Sequence, residues 1–173
     1  MLLGMTLTEL IGQGFGILAV LLGFISFQAD TRKELLLTQC AISVVFLVHY
    51  LLIGAHSGLA MNIVSLARNL TYYNQDKLRI SKKQTNVLYM VLYVLLGALA
   101  WQDWYSLVPI VSLLINTVFM SIGDPQLVRK SILVSSPVMI VYDVLVASYG
   151  GILFESVIIV SSLIGVLRYR RKD

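Results

Sequence analysis

Charge is scarce in this chain: only 13% of its 173 residues are Asp, Glu, Lys or Arg, and no Lys or Arg precedes Arg32. Cysteine occurs once, proline three times and histidine twice. Each scarcity excludes something. A lone Cys40 permits no intrachain disulfide and no thiolate metal cluster. With no basic residue ahead of it, the first apolar run lacks the n-region of a secretory signal, so it is expected to be retained as a helix. So few charges, set against 58% hydrophobic residues and a mean hydropathy of +0.84, exclude a soluble domain and leave an integral membrane protein. Period-two alternation is missing and the apolar runs are too long for barrel strands, so the spans are all-helical.

A helical span needs about 20 apolar residues. Seven runs qualify: 9–28, 35–53, 58–75, 84–101, 105–123, 131–149 and 151–168. Twelve of the thirteen basic residues fall after the odd-numbered spans: Arg32 and Lys33; Lys77, Arg79, Lys82 and Lys83; Arg129 and Lys130; Arg168, Arg170, Arg171 and Lys172. The other connecting segments have none, so the positive-inside rule puts the N-terminus outside and the C-terminus in the cytoplasm. That parity requires an odd number of spans. The net charge of +4 then reflects orientation and anionic lipid headgroups, not nucleic acid.

A shift of 93 positions places Ser43 on Ser136, Tyr50 on Asp143, Gly54 on Ala147, Gly58 on Gly151, Asn62 on Glu155 and Asn69 on Ser162. Polar residues recur at matching depths and so do the Arg-Lys loops. The expected organisation is a triple-helix unit over 1–75, a cytoplasmic loop and linker helix over 76–104, and a second triple-helix unit with a short basic tail over 105–173. Both units start outside and end inside, which makes the repeats parallel.

The stretches "GFGILAVLLGFISF", "VHYLLIGAHSG", "LVPIV" and "YGGILFES" followed by "LRYRR" resemble, in their order, the YgjV-type bacterial inner-membrane proteins over nearly the whole chain. The 3+1+3 parallel arrangement is similar to that of the SWEET sugar transporter and PQ-loop superfamily. These resemblances imply a seven-helix, SWEET-like protein of the bacterial cytoplasmic membrane. SWEET and PQ-loop proteins carry a helix-bending proline in the first helix of each unit. Here Pro109 matches in span five and Gly16 stands opposite in span one, so the expected hinge positions are Pro109 and Gly16. The literal Pro125-Gln126 pair lies in the loop after span five.

One arginine sits inside a span. Arg68 lies ten residues after Gly58, about 15 Å down a core about 30 Å thick, whereas Asp143 and Glu155 fall about 11 Å and 6 Å below the outer surface. An intramembrane charge normally faces a partner or a wet cavity. The depths lead us to expect Arg68, Asp143 and His49 around one pocket, with Glu155 nearer its mouth as the alternative partner. Asn62 and Asn69, Glu155 and Ser162, Ser43 and Tyr50, and Ser136 and Asp143 are each seven apart, giving each helix one polar line. Together with Asn116 of span five, these lines outline a cavity; the alternative is that they only hydrogen-bond helices together.

Other motifs are weaker. Gly12-Gln-Gly-Phe-Gly16 reads as close helix packing rather than a nucleotide loop, because no strand precedes it. Trp101-Gln-Asp-Trp104 reads as an interfacial anchor, and Tyr72, Tyr73 and Tyr169 as an aromatic belt. No catalytic set, metal site or cofactor motif stands out. The expected function is transport of a small polar solute, facilitative or coupled to protons through Asp143, Glu155 or His49, by a monomer or homodimer in the lipid bilayer. The alternative is a non-transporting receptor or scaffold of PQ-loop type.

Overall fold

The computed structural model describes residues 5–27, 31–78, 80–122 and 125–169. Its helices are α1 (Leu7–Phe27), α2 (Arg32–Leu52), α3 (His56–Tyr73), the single turn α4 (Gln75–Leu78), α5 (Lys82–Leu99), α6 (Leu107–Ile122), α7 (Pro125–Leu145) and α8 (Tyr149–Tyr169). A 3-10 turn, Trp104–Ser106, leads into α6, and the described residues form no strand. Arg79 and the basic tail from Arg170 onward lie outside the described residues.

Three helices start on one local signal. Thr6, Thr31 and Ser81 each precede a Glu or Gln by three residues, and in each the hydroxyl accepts the N3 backbone N–H while the longer side chain accepts the N–H of the cap. Two donors orphaned at each helix start are thereby satisfied. The sixth apolar run sits lower in the chain than expected: α7 begins at Pro125, not near 131, and ends at Leu145. Hydropathy misses its polar first turn, and the backbone turns over at Ala147, whose φ is +53°.

Leu7–Ser26 and Lys33–Leu52 are long and apolar enough to cross a membrane by length and composition; Trp104–Phe119 and Tyr149–Ile164 are apolar but shorter. Burial points the same way. Among the described residues, 19 polar or charged residues are buried against 17 hydrophobic ones, while Leu, Val and Ile fill the exposed faces of α1, α5 and α8. Such a surface reverses the pattern of a water-soluble core.

The long helices pack as a closed ring in chain order, α1–α2–α3–α5–α6–α7–α8, with α8 returning onto α1 and α3 touching α6 over a shorter line. One core, around Phe46, Tyr50, Tyr142 and Phe154, joins α1, α2, α7 and α8; another, around Met61, Tyr93 and Ile110, joins α3, α5 and α6. The α2–α3 and α7–α8 turns lie at one end of the ring, the turn end. The α1–α2 and α6–α7 linkers lie at the other, the loop end.

The offset of 93 recurs in the backbone. Adding 93 to Arg32, Leu52 and His56 gives Pro125, Leu145 and Tyr149, which bound α7 and open α8. The two turns between these helices share their hydrogen bonds. Ala55 N–H donates to Tyr50 O at 2.9 Å and Ser148 N–H to Asp143 O at 2.8 Å; Gly54 N–H donates to Leu51 O and Ala147 N–H to Val144 O, both at 3.3 Å. Positive φ occurs, among the described residues, at Gly54 (73°) and at its counterpart Ala147 (53°).

Candidate functional site: a polar cavity sealed at one end

A cavity of about 240 Å³ lies inside the ring. Helical spacing selects what faces it. Asn62, Ser65 and Asn69 follow one another on α3 at intervals of three and four, with Arg68 beside them, and Ser112 and Asn116 are one turn apart on α6. Tyr50 comes from α2, Ser136 from α7 and Glu155 from α8. The lining continues to Arg129 and to the exposed Thr31, where α7 and α2 begin, so the cavity extends to the loop end.

Arg68 is only 3% exposed. Its Nη1 donates to Thr117 Oγ1 at 2.6 Å, its Nε and Nη2 both donate to Asn69 Oδ1 at 3.2 Å, and its guanidinium stands 5.8 Å from the centre of the Tyr93 ring. Two dipoles and a ring face orient the charge without cancelling it. The expected pairing with Asp143 is not what the structure shows: Asp143 Oδ1 accepts from Tyr50 Oη at 2.8 Å, and among the described residues Arg68 forms no ion pair. The reason is position. α7 ends at Leu145, so Asp143 sits beside the turn and bonds Tyr50, whereas Arg68 lies twelve residues, about 18 Å of helix rise, from the turn-end start of α3. Glu155 is no partner either, since it matches the level of Asn62, six residues or about 9 Å of helix rise from Arg68.

The turn end is closed by hydrogen bonds that cross between the halves of the chain. Gln13 Nε2 donates to Ala147 O at 2.8 Å, and Gly150 N–H donates to Gln13 Oε1 at 3.1 Å. Gln102 does the same to the other turn: its Nε2 donates to Gly54 O at 3.2 Å and its Oε1 accepts Ser57 N–H at 3.3 Å. Residues 54 and 57 become 147 and 150 on adding 93, so the two glutamines clasp equivalent atoms. Tyr142 Oη accepts Gly58 N–H at 2.7 Å and meets Ser57 Oγ at 2.9 Å. His49 Nδ1 faces the Gly12 carbonyl and must donate to it, which leaves Nε2 to accept the Ser148 hydroxyl at 2.7 Å. Glycine is needed for this closeness: a Cβ at Gly58 would lie 2.9 Å from Tyr142 Oη, and one at Gly151 would lie 2.5 Å from Asp143 Oδ1.

The model of a family described as bacterial inner membrane proteins, Imp-YgjV, matches residues 10–173. The chain belongs to that family. No curated protein and no solved structure matches it. Membership in an inner-membrane family accounts for the polar interior and apolar exterior, because lipid solvates the outer faces of the helices while buried polar groups must find partners inside.

Of the residues expected at a cavity, Arg68, Asn62, Glu155, Tyr50, Asn69, Ser136, Asn116 and Pro109 line it. His49 and Asp143 belong to the turn-end closure instead. Ser162 is fully buried, and its Oγ has no partner among the described residues. Gly16 packs against Gly150, where an added Cβ would come within 2.6 Å of Gly150 Cα, so the two helices meet there as a close seam. Pro109 falls in the first turn of α6, where the missing N–H disturbs nothing; the proline inside a helix is Pro137 of α7. Tyr72, expected in a belt, is 3% exposed and donates to Asn86 of α5.

Sequence reading missed Gln13 and Gln102, both hidden in motifs read as packing or anchoring. It also counted Arg129 only as a marker of topology. The signal for Tyr142 was present, since adding 93 to His49 gives Tyr142. Ser148 and His49 stand as a nucleophile and base would, yet neither lines the cavity.

Proposed function

We propose that this chain is a permease for a small polar solute, spanning the inner membrane seven times in a 3+1+3 arrangement, with α5 joining two parallel triple-helix units. The conformation described is the one open to the cytoplasm. The matching turns and helix limits at an offset of 93 support the repeat. The gathering of Lys33, Lys77, Lys82, Lys83 and Lys130 at the loop end supports a cytoplasmic loop end, an outer N-terminus and an inner C-terminus.

The observation that carries the reading is one-sided closure. Side-chain hydrogen bonds joining the two units cluster at the turn end, through Gln13, His49, Tyr50, Ser57 and Tyr142, and Arg68 adds one to Thr117 deeper in the ring. A polar cavity sealed by breakable bonds at one end and open at the other is one half of an alternating-access cycle, and rocking the units to break these bonds supplies the other half. On this reading the Ser148–His49 pair serves as part of the seal rather than as a nucleophile and base. Counterflow from proteoliposomes loaded with bacterial metabolites tests this: accumulation of a solute that requires the cavity residues supports transport. A solute that binds the purified protein yet never crosses would overturn it in favour of a receptor or scaffold.

A further inference from the structure

We infer that Arg68 is the oxyanion site of this cavity, and that the solute is a small organic acid carrying a hydroxyl or ammonium donor beside its carboxylate. The inference deepens the permease reading and concerns the same cavity.

A guanidinium has five N–H donors. Three are used on Thr117 and Asn69, which leaves one on each of Nη1 and Nη2 without a partner among the described residues. The groups that hold it are themselves fixed: Thr117 is fully buried and donates onward to Leu113 O at 2.7 Å, and Asn69 is 1% exposed. The arginine is thus rigidly aimed, lines the cavity and retains its full charge. A charge so deeply buried calls for a counter-charge, and among the carboxylates expected near it Asp143 belongs to the turn-end closure and Glu155 lies about 9 Å of helix rise away. Arg129, at the loop-end mouth of the same cavity, adds a second positive charge on the path in.

The donor on the solute follows from a second atom. Asn116 lines the cavity, and its Oδ1 is buried with no hydrogen-bond partner. Such an acceptor is satisfied by a hydroxyl or ammonium hydrogen, which a simple carboxylate lacks. An oxyanion on Arg68 with a donor group directed to Asn116 completes both.

Glycerate is the probe, with glycerol as the neutral analogue, acetate as the acid without a donor, and sodium chloride at matched ionic strength. Thermal unfolding of the purified protein should shift upward with glycerate, less with acetate, and not with glycerol or chloride. Arg68→Gln should abolish the shift, and Arg68→Lys should weaken binding about tenfold or more through loss of the fork. Asn116→Leu should equalise glycerate and acetate. If both arginine variants fail to fold, the wild-type responses still decide. Equal responses to glycerol and glycerate, or a response only to chloride, would overturn the assignment. The same scans in phosphatidylglycerol and phosphatidylcholine nanodiscs separate a solute from a lipid headgroup: stabilisation by the anionic lipid that abolishes the glycerate response would overturn it too. Binding is read apart from flux, so glycerate that binds but does not cross sinks the permease and leaves this site standing, while flux of a neutral sugar without glycerate binding does the reverse.

Discussion

The α2–α3 and α7–α8 hairpins share their helix limits and turn hydrogen bonds and differ in chemistry where they meet. Tyr50 and Asp143 occupy equivalent positions and touch each other, one donating and the other accepting at 2.8 Å. Near a pseudo-two-fold axis a residue faces its own counterpart, so identical residues there would set carboxylate against carboxylate or leave a donor unmatched. The difference between the halves is therefore what allows the closure to form. Away from the axis the same principle relaxes. Gln13 and Gln102 are not equivalent positions, yet each reaches an equivalent pair of backbone atoms, one pair in each turn. Geometry is retained there, and the residue delivering it has moved.

The tightest seam gives the largest effect. Gly16→Ala forces a methyl into the Gly150 backbone, which cannot rotate away, and should cost about 1–3 kcal/mol or more. Gly14→Ala on the same helix meets open space and should be neutral or slightly stabilising. Chemical denaturation in detergent checks both, and equal effects would mean that α1 and α8 do not meet as described.

Next comes the axis. Tyr50→Phe leaves Asp143 Oδ1 without its donor and should destabilise by about 1–3 kcal/mol. Adding Asp143→Leu should recover much of that loss, because no buried polar group is then stranded. Exchanging the residues, Tyr50→Asp with Asp143→Tyr, should retain the fold better than the sum of the singles. Additive losses would show that the halves are not related by an axis at this point.

The clasps should differ in size. Gln13 is 7% exposed whereas Gln102 is exposed. Gln13→Leu should cost about 1–2 kcal/mol and Gln102→Leu less than about 1 kcal/mol. Both should raise labelling of a cysteine placed at the cavity-lining Asn62 from the turn end. The smallest effect belongs to the turns: Ala147→Gly should stabilise by up to about 1 kcal/mol and Gly54→Ala should destabilise by a similar amount, since each position has positive φ. Thermal unfolding of the pair reads this directly.

Much of this was legible in the sequence. Apolar runs gave seven long helices to within a few residues, and polar spacing gave most of the cavity wall, because both depend on local periodicity. The offset of 93 was visible in Gly54 and Ala147 before their shared φ was known. What could not be read was partnership. Arg68 and Asp143 carry opposite charges, but α7 ends at Leu145 and not near 149, which puts Asp143 at the turn end, and hydropathy does not mark where a helix stops to within a turn. The role of Gln13 was hidden for a related reason: its partners are backbone atoms 134 and 137 residues away, and backbone atoms leave no mark on side-chain pattern.

The central claim is that the polar cavity is reached from one side. In a Cys40→Ala background, a cysteine at Asn116 should react with a membrane-impermeant maleimide in inside-out vesicles and stay protected in right-side-out vesicles, with added Gln13→Leu increasing the reaction from the right-side-out face. Labelling of Asn116→Cys from the right-side-out face alone, or equally from both faces without that variant, would contradict the account.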